Sequence, residues 1–145
     1  MNEMYLKFLS RSENEVFART VVAAFALPLN PSLSELSDVK TAVSEAVTNC
    51  IVHGYKDGEG WIELNCRAEG NSLHIEISDR GRGIEDVERA LQPFFTTRGD
   101  EERSGMGFTI MQTFMTDFSV TSRAGEGTCV RMRKDFAQGA DVDAG

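Results

Sequence analysis

Apolar residues recur along the chain in two rhythms, one of about 3.6 residues and one of two, and together they predict an alternation of helices and strands. Residues 4–9 (MYLKFL) read as a short strand. Ser12-Glu13-Asn14-Glu15 has the form of a capping box, a serine followed three residues later by a glutamate, and predicts a helix that runs to about Leu27. Within it Phe17, Val21, Ala24 and Phe25 fall at i, i+4, i+7 and i+8 and predict one buried stripe, with Arg19, Ala23 and Ala26 on a different face. Pro28 and Asn30-Pro31-Ser32 break the helix. The strongest helical pattern follows: Val39, Ala42, Val43, Ala46, Val47, Cys50 and Ile51 trace one apolar face, and Gly54 is placed to end it.

The rhythm then changes. From Trp61 to Ala68 the residues alternate, with Ile62, Leu64 and Cys66 on one face. The turn Glu69-Gly70-Asn71 leads into Leu73, Ile75, Ile77 and Asp79 on one face of the next strand, so a carboxylate ends a row of core residues. A short helix near Glu85–Leu91 and an irregular stretch from Pro93 to Gly107 follow. An irregular stretch of that length in a compact domain is expected to be functional or mobile. A helix from about Gly107 to Thr116 buries Phe108, Met111, Phe114 and Met115. A hairpin closes the chain: a strand Phe118–Arg123, a turn Ala124–Gly127 and a strand Thr128–Lys134. The expectation is a single domain over residues 1–136 with a disordered, acidic tail at 137–145.

Composition narrows the classes. A chain of 145 residues is one domain by length and needs no disulfide or metal staple. Fifteen Lys and Arg against 23 Asp and Glu give a net charge of −8, which disfavours direct nucleic-acid binding through the phosphate backbone. The longest apolar run, Val21 to Leu27, is too short to span a bilayer, and the early residues, with Glu3 among them, lack a signal-peptide core. Cys50, Cys66 and Cys129 are an odd set at wide spacing, expected as buried thiols in a reducing cytoplasm and not as a disulfide or zinc framework.

Candidate chemistry sits in a few places. Glu45 and Asn49 are four apart on the best helix, so a carboxylate that can take a proton stands beside an amide oxygen that can ligate a hard cation. Read alone, the pair also fits the polar margin of a surface helix. Asp79-Arg80-Gly81-Arg82-Gly83 leaves a strand with an acceptor for an exocyclic amine and two glycines that let backbone approach a flat ligand, or it is an ordinary turn. Thr96-Thr97-Arg98 and Arg103-Ser104-Gly105-Met106-Gly107-Phe108 open a helix with glycine-rich amides and a charge suited to phosphate, or they are a plain loop. Gly127-Thr128 starts the last strand with a hydroxyl that fits a purine site or a routine strand position. Neither a P-loop nor the protein-kinase motif set is present.

Taken in order, an Asn-bearing helix, Asp-x-Gly-x-Gly, Gly-x-Gly and Gly-Thr resemble the motif series of the gyrase, heat-shock-chaperone, histidine-kinase and mismatch-repair ATPase superfamily, from about Ser34 to Lys134. Ser44-Glu45-Ala46-Val47-Thr48-Asn49, Phe95-Thr96-Thr97 and the segment from Glu102 to Phe108 resemble the anti-sigma serine kinases. Asn2-Glu3-Met4 and the segment from Ser10 to Glu15 extend the resemblance to their sporulation branch.

The resemblance implies an α/β (α+β) two-layer sandwich, with helices on one face of a mixed, mostly antiparallel sheet and ATP between the layers. It implies that Asp79 bonds the adenine amine, that Gly81 and Gly83 admit the ring and that Thr128 assists. Asn49 would ligate Mg²⁺. Thr97, Ser104, Gly105, Met106, Gly107 and Phe108 would wrap the phosphates, in a lid from about Thr97 to Gly105 that orders with ATP, and Arg103 would meet the terminal phosphate. Glu45 would be the general base for a serine hydroxyl on an anti-anti-sigma factor, the phosphoacceptor. Arg19, a solubilising charge on pattern alone, would grip a sporulation sigma factor. A cytoplasmic homodimer that touches neither membrane nor nucleic acid is implied, and His53, His74 and the cysteines have no required role. Other classes are a nucleotide-gated sigma-binding module without turnover, a stress-response anti-sigma kinase, and a detached histidine-kinase ATPase domain, against which Ser44-Glu45 argues.

Overall fold

The computed structural model describes residues 1–56, 58–92 and 99–137, with side chains from Gly107 onward in the last helix. Among the described residues five strands form one sheet: β1 (Asn2–Leu9), β2 (Trp61–Glu69), β3 (Ser72–Asp79), β4 (Asp117–Arg123) and β5 (Gly127–Asp135), in the order β1-β2-β3-β5-β4. Each of these pairings is antiparallel, so the mixed sheet anticipated from the sequence is a purely antiparallel one. The reason lies in the connections: β2–β3 and β4–β5 are tight hairpins, and the long excursions return β2 beside β1 and β5 beside β3 in reverse sense.

The helices are α1 (Glu13–Ala26), α2 (Leu33–Asn49), the short α3 (Val87–Ala90) and α4 (Gly99–Phe114). The period-two pattern is obeyed: Ile62, Leu64 and Cys66, then Leu73, Ile75, Ile77 and Asp79, are all buried on the helix-facing side. Against them α2 buries Val39, Ala42, Val43, Ala46, Val47 and Cys50, and α4 buries Phe108 and Met111, with Met115 just beyond its end. Phe114 is half-buried.

Three local expectations are corrected and one is refined. The buried face of α1 is Ala18, Val22 and Ala26, one position round from the Phe17 stripe; Phe17 is 49% exposed and Ala24 is exposed. α1 lies on α2, and small residues let the two backbones close, whereas pattern scoring favours the bulkier phenylalanines. The capping box is not at Ser12, whose side chain makes no cap bond, but at Ser32, whose hydroxyl accepts from the Glu35 N–H at 3.0 Å while Glu35 accepts from the Ser32 N–H at 2.9 Å. Glu15 is engaged elsewhere, accepting from the Ser44 hydroxyl at 2.7 Å. The helical run that begins with α2 does end at Gly54, but its last turn is not α-helical: it widens into a π-helical turn, Cys50–Gly54, closed by the Tyr55 N–H on the Cys50 carbonyl at 2.9 Å. Finally, the backbone is already helical from Gly99, not from Gly107.

Residues 93–98 and the tail from 138 lie outside the described residues. Cys50, Cys66 and Cys129 are free thiols, the first two buried as expected. Among the described residues no helix is long and apolar enough to cross a membrane.

Candidate functional site

A cleft of about 440 Å³ opens between α2, the turn after β3, α3 and the first strand residues of β5. Asn49, Asp79, Gly83, Phe108 and Thr128 line it, so five of the residues singled out from sequence converge on one space. Cys50, Gly54 and Arg82 also line it.

The strand alternation carries Asp79 inward to the last rung of β3, where it is 6% exposed and opposite Thr128 in the register. One carboxylate oxygen accepts from the Gly81 N–H at 2.8 Å. Burial pushes the Asp79 carboxyl above its ordinary range, and the N–H donors of Gly81 and Thr128 and the Cys50 thiol only partly oppose it. The Cys50 thiol is raised well above its usual value, by burial first and then by the neighbouring Asp79 charge, so it stays protonated. Thr128 Oγ1 lies 2.8 Å from the Ser122 hydroxyl, which also accepts from the Ile84 N–H at 2.7 Å.

The glycines also have a role within the fold itself. A Cβ on Gly81 would stand 2.0 Å from the Gly54 carbonyl oxygen, and a Cβ on Gly83, whose φ is +72°, 2.0 Å from the Arg123 carbonyl oxygen. Both admit neighbouring backbone, and through it they shape the cleft floor. Gly54 is equally constrained: a Cβ there would sit 2.8 Å from Asp79 Oδ2. Its carbonyl accepts from the Arg82 N–H at 2.9 Å. The local pattern marks Gly54 only as a helix end, because nothing in it announces that β3 will arrive beside it.

At the other end of the cleft, both amide atoms of Asn49 are buried with no hydrogen-bond partner among the described residues. Glu45, one turn earlier, is half-buried. Gly107 of α4 rides directly over this pair: a Cβ on it would lie 3.1 Å from Glu45 Oε1 and 3.2 Å from Asn49 Nδ2. Phe108 next to it is buried and packs at a tilt on Phe118, ring centroids 5.9 Å apart. Thr97 and Arg98 fall outside the described residues, and over the rest of the expected lid, and as far as Met106, only the helical backbone is described.

Arg19 is not in the cleft. It is half-buried, pairs with Glu15 at 3.5 Å, and lines a separate groove between α1 and α2 with Lys40, Ser44 and Glu45. Glu45 lines this groove and not the cleft, one helical turn before Asn49, which lines the cleft.

A family model for the histidine kinase-like ATPase domain matches residues 8–134. The anti-sigma F factor of Thermoanaerobacter sp. (strain X514) is 60% identical over 133 residues, covering 92% of this chain and 93% of the relative. That of Clostridium acetobutylicum is 53% identical over 136 residues, covering 94% and 95%. Among solved structures, the RsbU and RsbW domains of a Mycobacterium tuberculosis protein align with a TM-score of 0.68 at 14% identity over 94% of this chain. A blue-light activated histidine kinase from Erythrobacter litoralis aligns at 0.57 and 21% identity over 77% of this chain. The chain spans 33% and 34% of those two solved chains, and at such identities the likeness speaks to the fold.

Proposed function

Since the chain belongs to the histidine kinase-like ATPase family, and within it to the anti-sigma F factors, we propose that it is an ATP-dependent serine-protein kinase that binds and inhibits a sporulation sigma factor and phosphorylates that factor's anti-anti-sigma antagonist on serine. The observation that carries the nucleotide part is the bare Asn49 amide, buried at the mouth of a cleft whose far end holds the Asp79 carboxylate. Buried polar groups are nearly always bonded, so an unbonded one beside a cavity marks a place for a ligand.

In this reading Asp79 accepts the adenine amine, and the backbone floor held by Gly54, Gly81 and Gly83 supports the ring. The Asn49 amide oxygen suits a hard cation, and Mg²⁺ entering with ATP would neutralise phosphate charge there. Gly107 lets the α4 backbone close on the phosphates beside Glu45 and Asn49. Glu45 takes the proton from the acceptor serine as its oxygen attacks the terminal phosphorus and ADP leaves. Such transfer depends mainly on positioning and charge neutralisation, which one carboxylate and a set of fixed donors can supply. The groove with Arg19 and Lys40 opens beside Glu45, so partners approach the base from that side. Assembly as a homodimer and a cytoplasmic location belong to the same reading.

Incubation with labelled ATP and a candidate anti-anti-sigma protein tests it. Label is expected on a serine of that protein. ATP binding and sigma capture without transfer would replace the kinase with a nucleotide-gated binding module.

A further inference from the structure

Resting on the reading that this cleft binds ATP, we propose that Tyr55 is a positioning residue for base recognition. The β2–β3 register sets Ile62 opposite Asp79, so the next rung would pair Trp61 with Arg80. That rung is replaced by a side chain. The Tyr55 hydroxyl accepts the Arg80 N–H at 2.7 Å and donates its own proton to the Trp61 carbonyl at 2.7 Å. A single hydroxyl thus stands as a wedge between the two strands, directly after Asp79.

The wedge is held from both sides. The Tyr55 N–H closes the π turn on the Cys50 carbonyl at 2.9 Å, and the preceding carbonyl, of Gly54, accepts the Arg82 N–H at 2.9 Å. Below the ring, Gly60 leaves the needed space: a Cβ there would stand 2.3 Å from Tyr55 Cε1. The half-buried phenol, with its pKa raised first of all by burial, keeps its proton and can serve as donor and acceptor together. The segment that follows Asn49 therefore holds the segment that follows Asp79 at two points, Arg80 and Arg82.

The consequence concerns direction. With the wedge in place β3 ends at Asp79, and residues 80–83 peel away to form the cleft floor, where Arg82 and Gly83 line the cavity. Without the hydroxyl, the Arg80 N–H and the Trp61 carbonyl can bond directly, and the strands zip one residue further. The turn that bears the Gly81 N–H, and with it the Asp79 carboxylate, is then drawn toward β2 and away from the base.

The test compares ATP, GTP and inorganic triphosphate, each with Mg²⁺, on wild type and Tyr55→Phe. Wild type is expected to prefer ATP over GTP. In Tyr55→Phe that preference should narrow by about tenfold, with triphosphate affinity unchanged, because the phosphate end is untouched. Gly60→Ala, which displaces the ring and leaves the hydroxyl on it, should narrow the preference in the same way and carries the test if Tyr55→Phe does not fold. An unchanged ATP-to-GTP ratio overturns the inference. So does an equal loss for all three ligands, which marks a general scaffold role. Wild type that binds triphosphate but shows no preference for adenine overturns the reading of the base end, and this inference with it.

Discussion

The two ends of the cleft are built on opposite terms. At the base end the polar groups are satisfied before any ligand arrives: Asp79 holds the Gly81 N–H, Thr128 meets Ser122, and Gly54 and Tyr55 take the amides of Arg82 and Arg80. Four glycines there, Gly54, Gly81, Gly83 and Gly127, leave no room for a Cβ against backbone or carboxylate. At the other end, which the proposed function gives to the phosphates, the Asn49 amide is buried and bare, and the atoms nearest a Cβ on Gly107 are the ends of the Glu45 and Asn49 side chains. A buried unpaired amide costs about 1–3 kcal/mol in the unliganded state. On the proposed function, the molecule is well bonded where selectivity would be set and under-bonded where chemistry would happen, and each end should fail in its own way.

The largest expected effect separates chemistry from binding. Glu45→Gln should slow phosphoryl transfer by about 10²–10⁴-fold, while ATP affinity stays near the wild-type value. Single-turnover transfer of labelled phosphate and a nucleotide titration report the two quantities. Transfer at the wild-type rate would remove Glu45 from the role of base.

Two alanine substitutions place the contrast side by side. Gly81→Ala drives a methyl into the Gly54 carbonyl, which is backbone and cannot yield, so unfolding free energy should fall by about 1–3 kcal/mol. Gly107→Ala lies inside α4, and the atoms nearest its methyl are the ends of the Glu45 and Asn49 side chains, the first at 3.1 Å. It should fold at least as well as wild type, gaining up to about 1 kcal/mol of helix propensity, yet transfer phosphate poorly because its methyl crowds the pair. Denaturant titration with a transfer assay decides it. Equal stability loss in both would mean that the two ends are equally rigid.

Asn49→Ala sharpens the energetic point. Removal of the bare amide should leave unliganded stability unchanged or raised, and should weaken Mg²⁺-ATP binding by about tenfold to hundredfold, the worth of a lost bond to a charged group. A marked drop in unliganded melting temperature would show that Asn49 is structural.

Arg19→Ala serves as the control outside the cleft. Arg19 is tied to Glu15 on the groove side, so both cleft ends should keep their nucleotide affinities. Sigma-factor binding should weaken by about tenfold to hundredfold, since guanidinium contacts at an interface are directional and charge-assisted. A binding titration at matched salt that gives equal affinities would return Arg19 to a solubilising role.

What was legible in the sequence follows the same division. The inward Asp79 came from strict alternation, and the Glu45–Asn49 pair from helical spacing, because both depend on a local period. The partners of those residues come from distant segments, so the local pattern marks Gly54 only as a helix end and does not single out Tyr55. Ser12…Glu15 and Ser32…Glu35 are the same local motif, yet only the second forms a cap, because Ser44 and Arg19 claim Glu15. The buried face of α1 slipped by one residue for a related reason: the fit against α2 selects small side chains, a preference α1 alone does not display.

The smallest effect tests the base end through its proton. Burial holds the Asp79 carboxyl above its ordinary value of 3.8. The folded protein thus binds that proton more tightly than the unfolded chain, and ionisation of Asp79 costs stability. The sign follows: its contribution is most favourable below pH 3.8 and declines as pH rises through the higher folded value. Asp79→Asn has no proton to lose at that site. The stability of Asp79→Asn relative to wild type should therefore climb as pH is raised from acid toward neutral, measured by denaturant titration without nucleotide. Saturating ATP should flatten the wild-type slope, because an adenine amine donating to the carboxylate stabilises the ionised form and draws the pKa back down. A relative stability independent of pH would mean that the carboxylate is as well solvated in the fold as in water, and a slope that ATP leaves unchanged would take the adenine amine away from Asp79.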